Sequence, residues 1–254
     1  MSSRSRGYGT IGGVRMRQGW DSEAENWARF ARTPGHDPIH DEINLPALLG
    51  LLPAPGRRTL DLGCGEGRVG RVLMSLGHRV AGVDASAALV ALAAGHETPE
   101  PAVVADATGL PFADGTFDLV VAYMVFHDID DMPRAVAETA RVLEPGGRLC
   151  LVIVHPLNSA GAFPDRAGDA PFVIDGSYLE HKPSDFTVER GGVRLTFHSE
   201  HRPLEAYSRA LEDAGMRIES IREVGSRAGL ATRDPAARRW QRIPLSLQLR
   251  AVVG

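Results

Sequence analysis

A glycine-rich turn between a strand-like and a helix-like segment constrains the fold of this chain more than any other feature. The segment TLDLGCGEGRVGRVL, residues 59–73, carries four glycines and two acidic side chains after a short apolar run. Such a turn lets a nucleotide-like ligand lie against the backbone, at the N-terminal end of the helix that follows. We therefore expect a ligand-binding loop here, with a strand immediately before it.

The region around this loop alternates between strand-like and helix-like patterns. The predicted strands are nearly continuous apolar runs, as in a parallel sheet covered on both faces: RTLDL, HRVAGVD, PAVVAD, FDLVVAYM and RLCLVIVH. This alternation predicts an α/β fold with a doubly wound, Rossmann-like, mostly parallel sheet. Segments 216–224 and 243–253 would bring the sheet to seven strands, with the last one antiparallel.

The segments outside this alternation predict the domain organisation. We expect a flexible N-terminal arm over residues 1–19, which are rich in Gly, Ser and Arg. A single domain would follow over residues 20–254. Its parts would be N-terminal helices that cap the core (20–56), a ligand-binding core (57–155), an inserted substrate lid with a hairpin around Gly191 and Gly192 (156–202), and a C-terminal helix with two strands (203–254).

Composition excludes several function classes. The formal net charge of −4 gives no electrostatic basis for binding nucleic acid or an anionic membrane surface. Two distant cysteines predict neither a disulfide scaffold nor a cysteine-based zinc site. No apolar run approaches the roughly 20 residues of a membrane span, and no apolar segment follows the basic N-terminus as in a secretory signal. We expect a cytoplasmic protein with a small-molecule substrate, and leave homodimer formation open.

The glycine run fits two templates. Read from Gly65, GEGRVG matches the dinucleotide-binding pattern, which is a weak signal alone. Read from Asp61, DLGCGEG is an acid followed by alternating glycines. A pyrophosphate would meet Asp61 and Glu66 in a loop without lysine, although Arg68 offsets this in part. The acidic loop therefore favours a cationic ligand over a diphosphate.

Two more acids follow predicted strands. Asp84 ends the second strand, where a carboxylate can accept both hydroxyls of a ribose. Asp106 ends the third, where it can accept a hydrogen bond from an adenine amino group. Because the carboxyl ends of parallel strands share one edge, these acids should line one crevice.

Four motifs in order resemble the class I S-adenosylmethionine-dependent methyltransferases: LDLGCGEG, GVDAS, ADATGLPFADGTFDLVVA and RVLEPGGRL. The resemblance covers residues 57–155 and implies S-adenosylmethionine as cofactor. It implies that the loop backbone approaches the methionine moiety, that Asp84 binds the ribose, and that Asp106, Ala107 and Thr108 surround the adenine. The implied donor-binding residues are Asp61, Gly63, Cys64, Gly65, Gly67, Asp84, Ala85, Asp106, Ala107, Thr108 and Ala122.

Three candidate catalytic residues follow the fourth and fifth strands. His127 and His155 could act as general bases for an oxygen or nitrogen acceptor. Tyr123 could face the substrate and stabilise a cation through its ring during methylation of carbon. For His155, a structural hydrogen bond is an equally weighted interpretation. In the segment HDIDD, residues 127–131, helix capping is favoured over a metal site.

The predicted activity is methyl transfer to a small-molecule acceptor, such as a secondary metabolite, by in-line displacement. An NAD-type oxidoreductase that uses GEGRVG is the alternative from another class. A non-catalytic module that only binds S-adenosylmethionine is the third interpretation, because an intact donor pocket would have the same sequence.

Overall fold

The computed structural model describes residues 15–95, 102–226 and 235–254. The helices are α1 (Arg15–Arg32), α2 (Leu45–Leu49), α3 (Arg68–Ser75), α4 (Ala87–Ala94), α5 (Met132–Val142), α6 (Pro156–Ser159) and α7 (Leu204–Asp213). The strands are β1 (Thr59–Leu62), β2 (Val80–Asp84), β3 (Ala102–Val104), β4 (Phe117–Tyr123), β5 (Leu143–Val154), β6 (Gly161–Ala162), β7 (Val173–Ile174), β8 (Lys182–Pro183), β9 (Phe186–Arg190), β10 (Val193–Phe197), β11 (Glu200–His201), β12 (Met216–Val224) and β13 (Ser246–Val253).

Seven strands form the main sheet in the order β12-β13-β5-β4-β1-β2-β3. The five strands from β3 to β5 are parallel, and β13 runs antiparallel to both of its neighbours. This confirms the predicted doubly wound sheet with an antiparallel last strand. Because β13 lies between β5 and β12, the outer edge belongs to β12.

Apolar side chains pack on both faces of the sheet. One face packs against α5 and α7, with the fully buried Phe117 and Leu149 in this part of the core. The other packs against α2 and α3, where Leu48 and Leu73 are buried. The burial of both faces explains why the parallel strands read as continuous apolar runs.

The N-terminal helix begins earlier than predicted. Helix α1 starts at Arg15, so residues 15–19, predicted as part of a flexible arm, are helical. Met16 is buried and extends the helical apolar spacing of Ala24 and Ala28, which accounts for the earlier start. Residues 1–14 lie outside the described part of the chain.

The inserted segment after β5 forms short ribbons. Strands β9 and β10 pair as an antiparallel hairpin around Gly191 and Gly192, as predicted. Phe30 of α1 packs with Val193 and Leu195 of this hairpin. Within the described ranges, we find no helix with the length and apolar character needed to span a membrane.

Candidate active site

A cavity of about 2090 Å³ lies at the carboxyl ends of the parallel strands. The loops after β1, β2, β3 and β4 line one side, and α1 and the insertion line the other. Ligands of open α/β sheets bind at this edge. A typical small-molecule pocket has a volume of about 300–1000 Å³, so this cavity has room for two ligands side by side.

The glycine loop leaves bare backbone at the cavity wall. Gly63 and Gly65 have φ angles of +70° and +56°, in the left-handed region that disfavours side chains. A Cβ on Gly63 would overlap the Val125 side chain. The amide of Gly65 donates a hydrogen bond of 2.8 Å to Asp84 Oδ2. The loop therefore needs glycine, and the acid after β2 holds it in place.

Asp84 and Asp106 both line the cavity, as the resemblance implies. Asp84 Oδ1 accepts a hydrogen bond from the amide of Ser86 at 2.9 Å, and burial raises the pKa of Asp84. Asp106 Oδ1 accepts from the amide and the hydroxyl of Thr108, at 2.9 and 2.7 Å. Each carboxylate thus has a fixed orientation at the crevice.

The predicted donor-binding residues divide into two groups. Those that line the cavity are Gly63, Cys64, Gly65, Asp84, Ala85, Asp106, Ala107 and Thr108. The cavity lining does not include Asp61, Gly67 or Ala122. Ala122 is fully buried within β4, and Gly67 precedes α3 with a φ angle of +87°.

Asp61 lies beneath the loop. Its side chain is 1% exposed, and its Oδ2 atom has no hydrogen-bond partner among the described residues. Oδ2 lies near Gly70 of α3, where an added Cβ would be 3.2 Å away. Burial, and then the nearby Asp84, raise the pKa of Asp61 to about 7. Asp61 is therefore a buried side chain beside α3 and does not face the cavity. Burial also raises the pKa of the Cys64 thiol.

Arginines neutralise the other acid of the loop. The buried Glu66 carboxylate receives hydrogen bonds of 2.8 Å from Arg32 Nε of α1 and from Arg71 of α3. Arg68 forms an ion pair of 2.9 Å with Asp37 and lies 4.6 Å from the centre of the Trp27 ring. The interpretation of Glu66 as a free charge that repels a diphosphate was therefore wrong.

Tyr123 lines the cavity and is hydrogen-bonded to His40, a residue that the sequence analysis did not identify. Its hydroxyl lies 2.8 Å from His40 Nδ1. Burial raises the pKa of Tyr123, and burial followed by the charge of Arg68 lowers that of His40 to about 4. Both groups are therefore neutral near pH 7, and the hydroxyl and the imidazole share a neutral hydrogen bond.

His127 reaches the cavity, whereas His155 is absent from its lining. Burial, and then Arg202, lower the pKa of His127 to about 3. The side chain of His155 caps α6 by accepting from the Leu157 amide at 3.0 Å, and its Nε2 lies 3.0 Å from Glu223 Oε1. The structure thus contradicts the prediction of a catalytic His155, because hydrogen bonds to the scaffold engage both ring nitrogens.

The acids after His127 have different environments. Asp131 caps α5 by accepting from the Arg134 amide at 3.1 Å, as the capping interpretation of this segment predicts. Asp128 faces the cavity, and sequence reasoning did not single it out. Its adjacency to His127 was visible in the sequence, but the polar groups that surround it come from distant segments.

Comparison with known proteins agrees with this geometry. Residues 60–151 match the family described as "Methyltransferase domain". The chain is 36% identical over 126 residues to a malonyl-[acyl-carrier protein] O-methyltransferase of Enterobacter lignolyticus, a match that covers 48% of this chain and 50% of that protein. It is 38% identical over 97 residues to a demethylmenaquinone methyltransferase of Corynebacterium kroppenstedtii, covering 38% and 42% of the two chains. The chain thus spans about half, or less, of these relatives.

A solved structure covers more of the chain. The S-adenosylmethionine-dependent methyltransferase from Mesorhizobium loti superposes with a TM-score of 0.67 at 29% identity, over 82% of this chain and 96% of that one. The matched region, residues 60–151, contains the glycine loop and the strand ends that line the cavity. Residues 60–151 of this chain therefore form a class I S-adenosylmethionine-dependent methyltransferase domain, whose cofactor is S-adenosylmethionine.

Proposed function

We propose that this protein transfers a methyl group from S-adenosylmethionine to a small-molecule acceptor. The observation that carries the proposal is the single cavity of about 2090 Å³, which runs from the glycine loop to the inserted segment. A donor against the loop would leave room beside it for a second molecule. A module that only binds the donor has no need of that space.

The described residues fit the donor. Gly63 and Gly65 line the cavity without side chains, so the methionine moiety could approach the loop backbone there. Asp84 would accept the ribose hydroxyls, and the exposed Asp106 would lie beside the adenine. S-adenosylmethionine carries no phosphate, so the donor site needs no free lysine or arginine.

The acceptor side of the cavity has a mixed lining. Aromatic rings line it from α1 (Trp20), from the insertion (Phe163 and Phe197) and from the segment before β13 (Trp240). Charged side chains of both signs lie among them. Such a lining favours a partly apolar molecule with a few polar groups. The relatives' names specify two different acceptors, a malonyl-[acyl-carrier protein] and a demethylmenaquinone, so acceptor choice would depend on this chain's own insertion.

The chemistry would be an in-line displacement. When bound, the cofactor supplies a methyl group on a cationic sulfur, which leaves as a neutral thioether. The protein would hold the acceptor atom in line with that methyl group and exclude water. The buried part of the cavity wall formed by Tyr123 and His127 would help to exclude water, because these residues are at most 7% exposed.

Two measurements test the proposal. Calorimetry should show binding of S-adenosylhomocysteine and no binding of NAD. Incubation with methyl-labelled S-adenosylmethionine and a panel of phenols, carboxylic acids and amines should give a labelled product. Asp84→Asn should weaken both signals, whereas Asp114→Asn, at a side chain that is 82% exposed, should retain them. Donor binding without transfer to any compound in a broad panel would favour the non-catalytic module.

A further inference from the structure

The strongest unassigned chemistry lies at the end of β4, in His127 and Asp128. His127 is 5% exposed, and its Nδ1 atom is buried without a hydrogen-bond partner among the described residues. Its Nε2 atom lies 3.5 Å from Asp128 Oδ1. Buried polar atoms are nearly always paired. Because His127 lines the cavity, its unpaired nitrogen points to a hydrogen-bond partner on a bound ligand.

The neighbouring carboxylate decides which nitrogen carries the proton. An ionised carboxylate only accepts hydrogen bonds, so above about pH 8, where Asp128 is ionised, the nitrogen that faces it is the protonated one. A neutral His127 therefore has its proton on Nε2 and a free lone pair on Nδ1. The 3.5 Å between His127 Nε2 and Asp128 Oδ1 is long for a hydrogen bond. Catalytic hydrogen bonds are often long before the substrate binds, and they shorten in the complex.

Three parts of the chain fix Asp128. The hydroxyl of Ser199, between β10 and β11, donates to Asp128 Oδ1 at 2.7 Å. The indole N–H of Trp20 on α1 also donates to the Asp128 side chain. Asp128 therefore connects the core, the N-terminal helix and the insertion at the cavity wall, and its orientation toward His127 depends on all three.

We propose that His127 and Asp128 form a proton-accepting pair, and that the methyl acceptor consequently reacts through a hydroxyl group or an amine that gives up a proton. The inference rests on the proposed function and deepens it. The acceptor atom forms a bond to the methyl carbon as the carbon–sulfur bond breaks, and that electron pair stays on sulfur. The acceptor proton moves to His127 Nδ1, and it leaves to solvent after the product departs. His127 touches the acceptor, and Asp128 is a positioning residue.

The charges around the pair set its pH dependence. Burial is the largest cause that raises the pKa of Asp128, to about 8, and burial followed by Arg202 lowers that of His127. The other charged or titratable groups that face Asp128 are Asp185 and Tyr207, and Glu200 is paired with Arg202. An ionised Asp128 stabilises the imidazolium that proton transfer creates. The pair is therefore a better base as pH rises through about 8.

The experiment uses the full chain with bound S-adenosylhomocysteine and ¹⁵N-labelled histidine. In nuclear magnetic resonance spectra above about pH 8, the imidazole signal that His127→Gln removes should have a protonated Nε2 and an unprotonated Nδ1. Its chemical shift should change with a midpoint near pH 8 as Asp128 ionises. Asp128→Asn should abolish this step, and Ser199→Ala, which removes a donor to the carboxylate, should move it to higher pH. Asp130→Asn is the matched control and should leave it in place.

The second test measures the rate of methyl transfer by the variants. With an acceptor found in the panel, His127→Gln should lower kcat about 10²–10⁴-fold, the usual contribution of a general base. Asp128→Asn should remove the rise in rate toward pH 8 while the KM for the donor stays within about twofold. A protonated Nδ1, or a step that persists in Asp128→Asn, would overturn the inference even if S-adenosylhomocysteine binds. Absence of S-adenosylhomocysteine binding would instead overturn the proposed function.

Discussion

Arg32 Nε donates a hydrogen bond of 2.8 Å to Glu66 Oε2, which ties the N-terminal helix to the glycine loop. The Glu66 side chain is completely buried, and 34 residues separate the two partners in the sequence. The Glu66 carboxylate also receives two hydrogen bonds from Arg71. The glycine loop and α1 are therefore held together through a single acid.

Loss of the Arg32–Glu66 hydrogen bond should lower both the stability of the fold and the affinity for the donor. Arg32→Ala leaves the buried Glu66 with one cationic partner, so we expect a loss of about 1–3 kcal/mol in the free energy of unfolding. Affinity for S-adenosylhomocysteine should fall as well, because the loop is less well fixed. Urea unfolding and calorimetry measure the two effects. Arg29→Ala, an exposed arginine on the same helix, should change neither by more than about 0.5 kcal/mol.

Replacing Asp84 should lower the affinity for the cofactor more than it lowers the stability of the fold. Asp84→Ala removes the acceptor for the amides of Gly65 and Ser86 and the proposed partner of the ribose. We expect donor binding to weaken by about 1–3 kcal/mol, as is typical when polar partners are left unpaired. Calorimetry with S-adenosylhomocysteine measures this. Unchanged affinity would show that the crevice is not the donor site.

The glycine at position 63 should not tolerate a side chain. Gly63→Ala combines a φ angle of +70° with overlap against Val125, so it should destabilise the fold by more than about 1 kcal/mol. Gly146→Ala is the matched comparison, since Gly146 has a φ angle of +78° with no atom within 4 Å of the added Cβ. The difference between their thermal unfolding midpoints isolates the overlap. Val125→Ala combined with Gly63→Ala should recover part of it; no recovery would mean that the overlap is not the cause.

The buried Asp61 should make stability fall as pH rises. The folded state raises the pKa of Asp61 from 3.8 to about 7. Between these values the folded protein holds a proton that the unfolded chain releases, so the stabilising contribution is present below about pH 4 and lost by about pH 7. Asp61→Asn should remove on the order of 2 kcal/mol of this decline between pH 5 and pH 7. Urea titrations at both values, with Asp114→Asn as the exposed control, measure the change. Parallel declines in wild type and Asp61→Asn would contradict the assignment.

Local patterns predicted the sheet and much of the donor crevice. The apolar runs and the acids Asp84 and Asp106 at strand ends are contiguous in sequence, and a parallel sheet necessarily brings such ends to one edge. The same rule placed His155 beside the crevice, where its neighbours Val154 and Asn158 line the cavity but its own side chain does not. Its ring instead contacts Leu157 and Glu223, the latter 68 residues away, and no local pattern indicates that pairing.

Long-range ion pairs could not be read from the sequence. The charge of Glu66 was visible, but its neutralisation by Arg32 depends on how α1 packs across the loop. In the same way, the segment HDIDD predicted a helix cap at Asp130 or Asp131, whereas the environment of Asp128 depends on Trp20 and Ser199, which lie outside the core motifs. Side chains that meet only after the insertion folds back carry no periodic signal.

The two sides of the cavity are formed by separate segments of the chain. The wall for the donor is encoded within residues 59–131, whereas most of the opposite wall is encoded by residues 15–40 and 156–200. Evolution can therefore exchange the second set while leaving the first intact. Under the proposed function, chimeras that graft a foreign insertion onto this sheet would methylate a new acceptor with an unchanged donor site.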